Sequence, residues 1–187
     1  LKTDQGYFLD AKMLSRIQPC ALVLSGTDLN QIRDATLRYH QEHDPEKIII
    51  WGTSTYILNK NHQILLAQRK GSYAEGQWSP PGGHVEAGED IFRSARREVF
   101  EETGVYVQNQ RFLGVTFMPQ FKNGKMYYFY MAHFAAEINR GRPRITEEDK
   151  VMSDWQWFFI DQLPAPFFVP SAYAATLGLW DRIGALY

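Results

Sequence analysis

One cysteine, Cys20, stands in a chain of 187 residues. A lone thiol excludes an internal disulfide framework and a cysteine-built zinc site. So sparse a use of cysteine is the pattern of a reducing cytosol. No apolar run approaches the roughly 20 residues that a membrane-crossing helix requires. The opening LKTDQGYFLDAKML is too polar for a secretory leader. An excess of one charge is missing as well: 20 Lys and Arg meet 21 Asp and Glu, for a net charge of −1. That balance offers no basic footprint for nucleic acid. No repeat and no low-complexity segment breaks the chain. The expectation is a globular cytoplasmic protein with no membrane partner and with nucleic acid disfavoured as a ligand.

Apolar residues make up 44% of the chain, enough for a real core, and aromatics reach 14%, which leaves some to line a pocket. The length suits one domain plus an extension, or at most two small domains. Residues 1–45 read as a small α/β extension. DAKMLSRI (10–17) predicts a helix capped by Asp10, and CALVL (20–24) a buried strand. A second helix follows a cap at Thr27 or Asp28, with Leu29, Ile32, Ala35 and Tyr39 at helical spacing, and stops at Asp44-Pro45. So short a segment is not expected to fold alone. It should pack on the rest of the chain or on a second copy in a homodimer.

Residues 46–187 read as the main domain. KIIIWGTSTYIL and QILLAQRK are strands about the turn NKNH. A Gly/Pro-rich loop spans Gly71 to Gly88, and a helix covers about 90–103 with Glu89 and Asp90 at its opening. YVQNQRFLGVTFMPQF and KMYYFYMAHFAAEI are strands about the turn KNG. A polar loop, the strand WQWFFI and a helix from about Ser171 complete the order. Strands, helix, strands, helix predicts an α+β domain, or a sheet with helices on both faces.

The helix near 90–103 carries an anomaly. At about 100° per residue, Ile91, Ala95 and Val99 form its inward stripe, and Glu98 and Glu102 fall at the edge of that stripe with Glu101 beside them. Like charges one turn apart repel, and these also sit at the negative end of the helix dipole. Arg97 can pair with Glu101 at i+4, whereas Arg93 and Arg96 point more to solvent. A solvated acidic helix end is the ordinary reading of such a cluster. The preceding SPPGGH favours another, because glycine lets a backbone carbonyl come close to the carboxylates. Hard oxygen ligands of this kind suit Mg²⁺ or Mn²⁺.

The stretch also resembles a known family, the Nudix hydrolases, whose box reads G-x5-E-x7-R-E-U-x-E-E-x-G-U with U aliphatic. Gly83, Glu89, Arg97, Glu98, Val99, Glu101, Glu102, Gly104 and Val105 fill all nine fixed positions. The resemblance implies the Nudix fold, an α/β/α sandwich with a mixed sheet. It implies Mg²⁺ held by Glu98, Glu102, Glu101 and the Gly83 carbonyl, with Glu89 and Arg97 orienting the glutamates. It leaves the general base open between a box glutamate and a later acid, here Glu147, Glu148 or Asp149. It implies hydrolysis of a nucleoside diphosphate linked to another group.

The flanks QRKGSYAEGQWSPPGGHVEAGE (68–89) and DWQWFFIDQLPAPFFVP (154–170) resemble the MutT-type branch, which splits nucleoside triphosphates, oxidised ones included, to monophosphate and pyrophosphate. Arg69 is then a candidate for phosphate or base, beside Gly82 and Gly83, and Trp78, Trp155, Trp157 and Phe158 are candidates for stacking. Most aromatics alternating in a strand belong to a core. The runner-up is an ADP-ribose or nucleotide-sugar pyrophosphatase, although Pro119 is off that branch's usual offset. The NADH-type segment S-Q-P-W-P-F-P-x-S is absent, and Lys122 stands at the offset of the dinucleoside polyphosphate tyrosine. A non-catalytic ligand-sensing module is the remaining alternative.

Overall fold

Eleven residues, IIIWGTSTYIL, form the long strand β1 (Ile48–Leu58) at the centre of a mixed sheet. The computed structural model describes residues 29–71, 74–147, 149–151 and 153–184. The expected helix 10–17 and strand 20–24, Cys20, Thr27 and Asp28 lie outside them. Before β1 runs helix α1 (Leu29–His43), and after it come β2 (Gln63–Gln68) and the short β3 (Trp78–Ser79). Helix α2 (Ile91–Thr103) is followed by β4 (Tyr106–Lys122), β5 (Lys125–Arg140) and β6 (Gln156–Phe159). Helix α3 (Val169–Thr176) and the single turn α4 (Asp181–Gly184) end the described chain.

The sheet order is β3-β2-β1-β5-β4, with β6 on β2. β1 and β5 are parallel from Ile48↔Tyr127 to Leu58↔Glu137, and the other pairings are antiparallel. β4 and β5 form a hairpin closed at Lys122↔Lys125. Its two-residue turn is Asn123-Gly124, both at positive φ, as the twist of a tight hairpin demands.

Alternation along β1 distributes the core to both faces. Tyr56 and Leu58 face Ala174, Leu179, Trp180 and Ile183 of the C-terminal layer. Trp51 packs with Ile91 and Ala95 of α2 and with Leu29 of α1 on the other face, while Ile57 meets Val99. The result is the expected three-layer α/β/α arrangement. In α1 the buried face differs from the expected stripe: Leu29, Ile32 and His40 turn inward, whereas Ala35 and Tyr39 are exposed. His40 Nε2 lies 2.9 Å from the Tyr130 hydroxyl on β5, and this polar contact replaces the apolar one that periodicity suggests. Among the described residues no helix is long and apolar enough to cross a membrane.

α2 begins one residue later than the sequence suggests. Asp90 is its N-cap and accepts the Arg93 amide at 2.8 Å, and Gly104 closes it at φ 70°. Glu89 therefore lies outside the helix, where its carboxylate is spent on Arg97 rather than on the helix dipole. The N-terminus of α2 is also held from α1: Asn30 Oδ1 accepts the Ile91 amide at 3.0 Å, and the Arg33 guanidinium donates to the Glu89 carbonyl.

Under the sheet surface His133 of β5 is fully buried between the Tyr56 hydroxyl (3.2 Å from Nδ1) and Thr116 Oγ1 (2.9 Å from Nε2). Burial pushes its pKa down from 6.5 to about 3. The unfolded chain therefore binds more protons across that interval. The stability gained from the neutral ring is complete above pH 6.5 and falls as pH drops toward 3. Urea unfolding between pH 7 and pH 5 should show wild type losing stability relative to His133→Gln, with a slope approaching about 1.4 kcal/mol per pH unit below pH 6.

Candidate active site

β1 pairs with β2 only at Leu58↔Ile64, so most of that edge of the strand is open to other partners. The loop after β3 takes them. The Thr55 amide donates to Pro81 O at 3.0 Å, the Thr53 amide to Gly83 O at 2.8 Å, and the Val85 amide to Trp51 O at 2.9 Å. This zipper fixes Gly82 and Gly83 against α2. A Cβ on Gly82 would lie 2.1 Å from Thr53 O, and one on Gly83 would lie 2.4 Å from the Glu98 carboxyl carbon. Both positions therefore need glycine because of close approach, not because of backbone angles.

On α2, Glu98 and Glu102 lie one turn apart on the buried side, 4% and 7% exposed. The Gly82 amide donates to Glu102 Oε2 at 3.0 Å. Burial nevertheless dominates and pushes the Glu102 pKa up to about 8. Arg97 gathers the other acids. Its Nε and Nη2 reach the two Glu89 oxygens at 2.9 Å, and its Nη1 reaches Glu98 Oε1 at 2.9 Å and Glu101 Oε2 at 2.8 Å. Nη2 also donates to His84 O at 3.0 Å. Hydrogen bonding to Glu89 leads the effects that raise the guanidinium pKa. The same bond leads those that hold the Glu89 carboxyl below its usual range.

A second cation was not singled out by the sequence. Lys150 Nζ lies 2.8 Å from Glu147 Oε2, 3.6 Å from Glu98 Oε2 and 3.7 Å from Glu102 Oε1. Burial opposes its charge, but the bond to Glu147 and the charges of Glu102 and Glu98 outweigh burial and hold its pKa up at about 12. Glu98, Glu102 and Glu147 thus share one cation, whereas half-exposed Glu101 is turned to Arg97. Of the loop acids, Asp149 is exposed and Glu148 lies outside the described residues. Among the described residues no three acidic, cysteine or histidine side chains are already drawn into a coordination set. Glu98 Oε2 is buried and accepts no hydrogen bond, which leaves an oxygen suited to a hard cation. Gly83 O accepts one hydrogen bond, from Thr53, and a carbonyl has two lone pairs.

Beside Gly82 and Gly83 opens a cleft whose walls include Arg69, Thr116, Phe129 and Phe168. The Arg69 guanidinium stacks over Phe168, 4.6 Å from the ring centre. Thr53 and Ser54 also line it, and alternation along β1 turns their side chains to opposite faces of the sheet. The tryptophans proposed for stacking do not line this cleft themselves, although the Trp78 carbonyl accepts the Phe168 amide at 2.8 Å. Trp78 packs edge-on against Phe158 at 5.0 Å, Trp157 lies against the Ile57–Val99 cluster, and Trp155 Nε1 donates to the Glu102 carbonyl at 3.1 Å. Phe168 belongs to the segment flagged from sequence, whereas Phe129 had no local signal: it is one apolar residue in a strand full of them.

Comparison with known proteins agrees with this geometry. The family model described as the NUDIX domain matches residues 50–176. The NAD-capped RNA hydrolase NudC of Haemophilus influenzae (strain PittEE) is 35% identical over 121 residues, 63% of this chain and 42% of the relative. The corresponding protein of Vibrio parahaemolyticus is 36% identical over 108 residues, 57% of this chain and 38% of the relative. The chain thus spans less than half the length of these curated relatives. Among solved structures, a MutT NUDIX hydrolase from Burkholderia pseudomallei superposes with a TM-score of 0.58 at 28% identity, over 70% of this chain and 95% of that chain. A NUDIX hydrolase from Nitrosomonas europaea, at 21% identity and a TM-score of 0.52, shares the fold. A family match across most of the sequence, together with a complete box whose helix and glycine loop meet as described, means that this chain belongs to the Nudix family.

Proposed function

We propose that this chain hydrolyses a diphosphate linkage in a nucleotide with the help of Mg²⁺ or Mn²⁺. The substrate in this reading is a nucleoside triphosphate, oxidised deoxynucleotides included, and the products are nucleoside monophosphate and pyrophosphate. One observation carries the reading: two buried carboxylates, Glu98 and Glu102, meet a Gly-Gly loop at the edge of a cleft with cationic and aromatic walls.

Glu98, Glu102 and Glu147 are the oxygen donors that would hold the divalent cation, with the Gly83 carbonyl and a released Glu101 as further donors. Bound cations would neutralise phosphate oxygens and acidify the attacking water. Arg97 keeps Glu98 in orientation through a bond that glutamate cannot make with solvent and remain fixed. Arg69 offers charge to the phosphate chain, and Phe129 and Phe168 offer apolar faces to a base. Water oxygen bonds to phosphorus, the bridging P–O bond breaks, and pyrophosphate departs. The water proton goes to a carboxylate, either a box glutamate or an acid of the later loop.

The NudC relatives favour a second reading, in which the same bond is cut in an NAD-type dinucleotide or an NAD-capped RNA. The triphosphate reading comes first because the NADH-type segment is missing after the box. A panel of dNTPs, oxidised dNTPs, ADP-ribose, nucleotide sugars, dinucleoside polyphosphates, NAD and NAD-capped RNA, run with Mg²⁺ in ¹⁸O water, separates the two. Triphosphate should be the preferred substrate, with phosphorus NMR locating the label on one product. Faster turnover of NAD or capped RNA would replace the first reading by the second. Absence of cation-dependent product from the whole panel would leave a ligand-sensing module.

Glu102→Gln should abolish turnover while the cation-free protein melts at the same or a higher temperature. The amide can still accept the Gly82 hydrogen bond, and it carries no buried charge. The nearest atoms to a Cβ in Gly83→Ala are those of the Glu98 carboxylate and not backbone, so the fold should yield by displacing that side chain at the expense of the site. We expect roughly a hundredfold loss of kcat/KM, on the scale of a 1 Å misplacement, with calorimetry showing a small change in Tm.

A further inference from the structure

The space between Glu98, Glu102 and Glu147 already contains a positive charge, the Lys150 ammonium. We infer that Lys150 is a resident counter-cation which holds the three carboxylates together in the cation-free protein and must leave their midst before a divalent cation can enter. The inference rests on the metal-binding reading of these glutamates.

Three observations carry it. The first is reach. The Lys150 backbone is fixed at the site, because its carbonyl accepts the Lys70 amide at 2.8 Å and its amide donates to Glu147 O at 3.1 Å. The neighbouring Val151 bridges to Arg69. The ammonium therefore stands where the loop aims it. The second is distance. Its contacts with Glu98 and Glu102, 3.6 and 3.7 Å, form a cage far wider than the ~2.1 Å oxygen shell of Mg²⁺. A divalent cation needs the acids to close in on a volume that the ammonium now fills, and two cations a few ångströms apart repel strongly at a half-buried site. The third is freedom. The Lys150 side chain is 41% exposed, against 23% for Arg97, and has solvent to swing into. Arg97 is locked by bonds to Glu89, Glu98, Glu101 and His84. One cation is a fixture and the other is exchangeable.

The exchange sets affinity. Each binding event must break the Lys150–Glu147 pair, so the ammonium weakens divalent-cation binding while it stabilises the cation-free fold. Removal of the charge should reverse both effects. Mn²⁺ titration of the full chain, followed by electron paramagnetic resonance of free Mn²⁺, should give a Kd roughly tenfold or more tighter for Lys150→Met than for wild type. The same variant should melt at a lower temperature than wild type without cation and recover that difference when Mn²⁺ is added. Equal affinities in the two proteins would overturn the inference, as would weaker binding by the variant. The wild-type chain supplies a measurement independent of any substitution: covalent labelling of lysine amines should modify Lys150 faster once Mg²⁺ is present. Unchanged labelling at saturating Mg²⁺ would overturn it too. Glu98→Gln separates this idea from the function it rests on. If wild type binds Mn²⁺ and Glu98→Gln does not, the glutamates are the metal site and the affinity ratio judges Lys150. If neither wild type nor Lys150→Met binds Mn²⁺, the metal reading itself fails.

Discussion

The guanidinium of Arg97 is the interaction on which the rest of the site depends. It ties Glu89, Glu98, Glu101 and the His84 carbonyl into one assembly. Without it, three glutamates would crowd the negative end of a helix dipole. A lysine could neutralise them but could not hold them in a plane, because an ammonium lacks the rigid fork of donors. The assembly joins α2 to the loop 80–89, and the loop is zipped along β1. One side chain thereby connects the central strand of the sheet to the orientation of Glu98.

Charge at this helix end is divided unevenly, and the division follows burial. Glu101 is half exposed and has a permanent partner in Arg97. Glu98 lies between Arg97 and Lys150, one oxygen toward each. Glu102 is the most costly of the three as an anion, since the Gly82 amide and the charges of Lys150 and Arg69 fall short of offsetting its burial. A site that left all three acids fully satisfied by protein groups would have nothing to offer a ligand. This one keeps Glu98 Oε2 buried and unbonded, beside a glycine whose missing side chain leaves the approach open.

Much of this was legible in the chain itself. Long strands with a two-residue Asn-Gly turn, an amphipathic helix stopped by Gly104, and the box all carry their information locally, in spacing and backbone preference. The burial of Glu98 and Glu102 and the reach of Arg97 to Glu101 could be read because they depend on helical periodicity. The cleft could not. Phe129 and Thr116 come from two paired strands, and Phe168 from the C-terminal segment. Nothing in their neighbours distinguishes a wall residue from a core residue. Trp78 and Trp157 are large aromatics near the motif, and their contacts are with Phe158 and with the Ile57–Val99 cluster. Lys150 was hidden for another reason. Its meaning lies in Glu98 and Glu102, some fifty residues away, and only Glu147 at i−3 hinted at an ion pair.

The contacts that Asn30 and Arg33 make with the start of α2 have a mechanical consequence. They come from α1, ahead of the stretch that the family model matches. A helix of this length spans roughly 20 Å, so a tilt of about 3° at one end moves the other by about 1 Å. Glu98 and Glu102 ride near that other end. The segment ahead of the matched stretch therefore holds one end of the helix whose other end carries Glu98 and Glu102, so a shift in α1 would be passed to those two side chains.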